Sequence, residues 1–158
     1  MEMDGIRAAI SAVHNLEEEA WTEFENSLKP RNLLKGEILW SVGDVCRHVV
    51  FLKTGLIRTF LQSDKKVDTY QFFFENRLLA DYYSFVSQQP CSLNYEAIED
   101  CELMVITRTD IYNLYDRFRS FERFGRLLAE RNLIGVLSTT MNLKGLSPEE
   151  RYLALIKE

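Results

Sequence analysis

Long apolar runs are missing from this sequence. No stretch approaches the roughly 20 residues that a helix needs to cross a bilayer, so no membrane association is expected from it. The opening residues, MEMDGIRAAISAVHNLEEEA, carry acidic side chains where a secretory leader needs a basic flank and an apolar block. A cytoplasmic location is the expectation. Cysteine is sparse: Cys46, Cys91 and Cys101 are odd in number and far apart, which implies neither a disulfide framework nor an iron–sulfur cluster. Histidine is sparser still, with only His14 and His48. The pair Cys46-x-His48 offers two ligands where a metal site needs three or four. No metal and no cofactor is expected. Basic excess is also lacking, since 19 Lys and Arg stand against 24 Asp and Glu for a net charge of −5. Phosphate contacts supply most of the affinity of nucleic-acid binders, so these residues are not expected to grip DNA by themselves.

What the chain has is apolar side chains in two kinds of order. Of its 158 residues 46% are hydrophobic and 12% aromatic, enough to close a core and to exclude disorder. Ile6, Ile10, Val13, Leu16, Ala20, Phe24 and Leu28 recur at threes and fours, which predicts two short helices ending at Pro30. Between Asn32 and Ile106 the runs EILW, HVVFL, LIRTFL, DTYQFFF, YEAI and ELMVI are rich in β-branched and aromatic residues. Turn-like residues around Gly36, Gly43, Gly55, Asp64 and Asp100 separate them, so an antiparallel roll, barrel or sandwich is predicted. Leu79–Phe85 alternates poorly and reads as a short helix between strands. From Thr109 onward the helical period returns. Leu127, Ile134 and Met141 recur at every seventh residue, with Phe124 and Leu137 at three-residue offsets. That spacing predicts a helix seam between two copies of the chain, with Arg131 and Ser138 as polar interruptions. Lys144-Gly145-Leu146 is expected to break the helix, and Ser147-Pro148-Glu149-Glu150 to cap a new one.

The order Lys35-Gly36-Glu37-x-Leu39, Gly43-Asp44 and Val50-Phe51-Leu52-Lys53-Thr54-Gly55 resembles the sensor domain of the Crp/Fnr transcription regulators, and the resemblance extends over roughly residues 32–158. It implies a mainly β fold with flanking helices: a double-stranded β-helix, or jelly roll, of the cyclic-nucleotide-binding type, followed by a long dimerisation helix. The implied organisation is N-terminal helices over 1–30, the roll over 31–108 and a helical region over 109–145. Residues 146–158 would begin a helix-turn-helix domain, whose second helix reads the major groove. Nucleotide-binding members open the short helix of the roll with Gly-Glu and follow it with Arg-Ser or Arg-Thr, the Glu holding ribose and the Arg the cyclic phosphate. The matching residues here are Ala80-Asp81 and Cys91-Ser92. Asp81 keeps a shorter carboxylate and Ser92 keeps a hydroxyl, but Cys91 carries no positive charge. The polar pair that meets the base in nucleotide-binding members falls at Val136 and Leu137.

The resemblance therefore implies a non-enzymatic sensor of an effector other than cyclic AMP, acting as a homodimer and reaching DNA only through the domain that begins at residue 146. The expected ligand pocket is Ala80, Asp81, Tyr82, Tyr83, Cys91 and Ser92, with Tyr95 a further polar-tipped candidate. The expected dimer seam is Phe124, Leu127, Ile134, Leu137 and Met141. A module that dimerises or binds a partner without sensing anything is the alternative. A cupin-type enzyme on a similar roll would need a tight cluster of His and Glu ligands, which two separated histidines do not provide. Bland roles compete for each residue: Asp81 and Ser92 can satisfy turn backbone, Cys91 can be an inert buried thiol, and the aromatics can be core.

Overall fold

The computed structural model describes the backbone of residues 3–63 and 66–145 and the side chains as far as 138. Two helices open the chain, α1 (Asp4–Ser11) and α2 (Glu18–Ser27), with Ile6 and Ile10 of the first and Ala20, Trp21 and Phe24 of the second buried. Pro30 does not merely end the helical region. It lies within strand β1 (Lys29–Leu33), at the edge of its sheet, where a residue lacking an N–H breaks no ladder. The expected helix from Ser147 lies outside the described residues.

Strands β2 (Ile38–Trp40), β3 (His48–Thr54), β4 (Ile57–Ser63), β5 (Lys66–Phe73), β6 (Arg77–Leu79), β7 (Asn94–Ala97) and β8 (Cys101–Thr107) complete the roll. They form two four-stranded sheets, ordered β1-β8-β3-β6 and β2-β7-β4-β5, with every observed pairing antiparallel. Strand β3 buries three consecutive residues, Val50, Phe51 and Leu52. Alternation would bury only every second one; here α1 covers the outer face, with Gly5 against the Phe51 ring. The β3–β4 turn depends on Gly55, which has φ +105° and whose absent Cβ would stand 2.8 Å from the Asp100 carbonyl oxygen. Gly36 and Gly43 also take positive φ, as their turn positions predicted.

Leu79 closes strand β6 rather than opening a helix. The helix α3 is Tyr82–Ser87, capped by Asp81. After β8 come α4 (Arg108–Arg117) and α5 (Arg119–Gly145). The start of α5 belongs to the core: Phe121 packs on Phe24, Tyr115 and Phe124.

The expected seam residues differ in exposure within the single chain. Phe124 is 5% exposed in the single chain, because the first turns of α5 lie on α2 and α4. Leu127 is half-buried. Arg131 reaches back instead of outward, its guanidinium donating to the Ala12 carbonyl at 3.3 Å. Beyond it Leu133, Ile134, Val136 and Leu137 are all exposed, Ile134 by 63% and Leu137 by 52%. At about 100° per residue they cover an arc of roughly 160°. The side chain of Met141 lies outside the described residues.

Candidate effector pocket

The short helix α3 roofs one end of the roll, and its first residues are tied down from below. The Asp81 carboxylate accepts from the Ser84 amide at 2.9 Å, the N-cap bond that a carboxylate makes with the first turn of a helix. The Ser84 hydroxyl accepts from the Cys46 amide at 2.9 Å and donates to the Gln89 carbonyl. Gln88 caps the far end in left-handed conformation, φ +56°. Its amide group donates to the carbonyls of Phe85 at 2.9 Å and Cys46 at 3.2 Å. Cys91 is fixed by its backbone: its N–H donates to Asp44 O at 2.7 Å, and Gly43 N–H donates to its carbonyl at 3.1 Å.

Asp81 is 7% exposed and Cys91 2%. Tyr95 of β7 reaches them from the sheet below, its ring edge-on to Trp40 at 5.0 Å and stacked with Phe73 at 6.4 Å. Burial, and then the facing Asp81 carboxylate, push the Tyr95 phenol above its ordinary range. Burial likewise raises the Cys91 thiol, which lies beside Ser84 and Asp81. Burial pushes Cys46 up to about 11. Among the described residues, none of the groups acting on Tyr95 or Cys91 is a cation. The expected pocket residues thus divide. Asp81 and Cys91 point into a closed polar cluster, while Tyr82, Tyr83 and Ser92 are exposed and Ala80 is half-buried. Tyr95 joins the cluster as a polar-tipped residue. Ser84 and Cys46 complete it without any sequence signal, because a serine in a helix and a cysteine in a loop reveal nothing of their partners.

Two open clefts lie elsewhere on the described surface. One, of about 330 Å³, is formed by Arg119, Glu122, Arg123 and Arg126 of α5. The other, of about 440 Å³, is lined by residues that include Arg47, His48, Gln88, Thr107, Arg108 and Thr109. Neither is lined by Asp81, Cys91 or Tyr95.

Residues 30–118 match the family model of the cyclic nucleotide-binding domain, a span that includes every strand of the roll but the first residue of β1, and all of α3. The chain belongs to the cyclic nucleotide-binding domain family. This cyclic nucleotide-binding domain matches no curated protein sequence. Its fold is similar to a cyclic nucleotide-binding domain from Methylobacillus flagellatus, with TM-score 0.77 and 13% identity over 92% of this chain and 85% of that one. It is similar to the Thermus thermophilus catabolite activator protein, with TM-score 0.69 and 20% identity over 83% of this chain. The match spans 60% of that protein's length. The sensor domain of the transcriptional regulator DNR from Pseudomonas aeruginosa is also similar, with TM-score 0.66 and 13% identity over 90% and 89% of the two chains. The expected resemblance to Crp/Fnr-type regulators and the expected jelly-roll fold both hold. Among the described residues no helix is long and apolar enough to cross a membrane.

Proposed function

We propose that this domain is the sensing and dimerising part of a Crp/Fnr-type transcription regulator, that it is not an enzyme, and that its effector is not cyclic AMP or cyclic GMP. The observation that carries the reading is the closed cluster under α3. Where nucleotide-binding members place an arginine stands Cys91, buried and held by its backbone to Gly43 and Asp44. The neighbouring carboxylate, Asp81, is already engaged by Ser84. A cyclic phosphate entering here would leave water to meet a neutral thiol and a carboxylate. A buried charge without a partner costs roughly 3–5 kcal/mol, a hundredfold or more in affinity. The N-terminus of α3 returns at most about 2 kcal/mol.

Calorimetric titration of the 158-residue chain with each cyclic nucleotide is expected to give no heat of binding at micromolar concentrations. Saturable micromolar binding of either would overturn the reading. The closed cluster also favours a second reading, a dimerisation module that senses nothing. A thermal-shift screen separates the two, because an effector at a hundredfold excess over its dissociation constant stabilises by about 2.7 kcal/mol. In either case DNA contact would need a helix-turn-helix domain, which lies outside the described residues.

A further inference from the structure

We propose that the cleft between the start of β3 and the end of β8 is a binding site for a small phosphorylated molecule, separate from the pocket of the roll. The antiparallel register pairs His48 with Thr107, and one step further out the Arg108 amide donates to the Arg47 carbonyl at 2.7 Å. Two arginines are therefore held side by side at the end of the sheet. Like charges on neighbouring strands repel, and among the described residues neither arginine has a carboxylate partner. Arg31 adds a third positive charge close enough to act on His48, whose imidazole is held below its ordinary range first by burial and then by that charge. The Asp110 carboxylate, two residues along from Arg108, accepts from the Thr107 hydroxyl at 2.6 Å.

Arg108 is already set in place. Its Nε donates to the Phe85 carbonyl at 3.1 Å, and its guanidinium lies over the Tyr112 ring at 4.2 Å. Both Nη groups remain as donors, on a side chain whose ordering is complete before any ligand arrives. Arg47, exposed and lining the same cleft, supplies a second fork, and Thr109 also lines its wall. A carboxylate has two oxygens and answers one fork. A phosphate monoester carries up to two negative charges and three acceptor oxygens, so it can bridge both. The volume of about 440 Å³ exceeds what a bare phosphate fills, leaving room for the molecule that bears it. Because Arg108 grips the last turn of α3 through Phe85, and Gln88 lines the same cleft, occupancy would be felt by α3.

The test is a titration of the isotopically labelled full chain with inorganic phosphate at constant ionic strength, followed at the backbone amides of Arg108 and Thr109. A saturable shift at millimolar phosphate is expected, with acetate several-fold weaker. Arg47→Gln, at an exposed position that leaves the fold intact, should weaken phosphate by about tenfold or more. Arg123→Gln, in the other cleft, should change nothing. A response that fails to saturate, that acetate matches, or that Arg47→Gln retains would reject the site. Heat alone does not tell the two sites apart, so the shifts at Arg108 and Thr109 and their loss in Arg47→Gln, rather than calorimetry, assign binding to this cleft.

Discussion

Cys46, Cys91, Tyr95 and Tyr115 are acids that the folded chain keeps protonated. Cys46 rises from 9.0 to about 11 and Tyr115 from 10.0 to about 12, each first through burial. The unfolded chain ionises these groups at their ordinary values, so above pH 9 it holds fewer protons than the native state and stability falls as pH rises. The contribution is fully present below pH 9 and is lost across the interval up to about 11 for Cys46 and about 12 for Tyr115. Two units at Cys46 amount to about 2–3 kcal/mol. Urea midpoints at constant temperature should be level through pH 8 and drop clearly by pH 10.5; a midpoint unchanged over that range would contradict the buried-acid account. The same burial makes the thiols inert, since the thiolate is the reactive form. That Cys91 is charge-free was legible from its letter. Its burial was not, because nothing along the chain announces that Asp44 and Gly43 will pair with its backbone.

The helices and strands were legible where their period is strong and hidden where it is short. The long α5 and the amphipathic α1 and α2 follow their three- and four-residue spacings. Strands β1 and β6 were missed: KPRNL carries a proline and charges, and RLL is three residues long. Both exist because β8 and β3 offer them partners. The packing of α5 against α4 depends on Gly125. A Cβ there would come within 2.6 Å of the Tyr115 ring. Gly125→Ala would gain about 1 kcal/mol from helix propensity and lose roughly 1–3 kcal/mol to overpacking. The clash meets a ring held between Tyr112 and Phe121, so a net loss is expected, seen as a lower thermal midpoint. A midpoint that rises would mean the ring has room to move.

At the scale of the molecule, Leu133, Ile134, Val136 and Leu137 form an exposed apolar arc on α5. On the proposed reading a second copy related by a two-fold axis would cover it with the same residues, the commonest arrangement for oligomers. Light scattering at micromolar concentration should give a dimer, and Leu137→Glu should give a monomer with an unchanged circular-dichroism spectrum. A wild-type monomer at that concentration would refute the arrangement. Composition and period determined, without any coordinates, that antiparallel strands lie between helices and that Gly36 and Gly43 turn; the resemblance to the family added the roll and the expectation that Cys91 stands uncharged where nucleotide-binding members carry an arginine. These are properties of single residues or of neighbours along the chain. Tertiary structure decided the rest. It buried Phe124 in the core, sent Arg131 back to Ala12, closed Asp81, Ser84, Cys46, Cys91 and Tyr95 into one cluster, and set Arg47 beside Arg108. Each of these joins residues distant in sequence, and burial and charge act through distances in space that a local period does not encode.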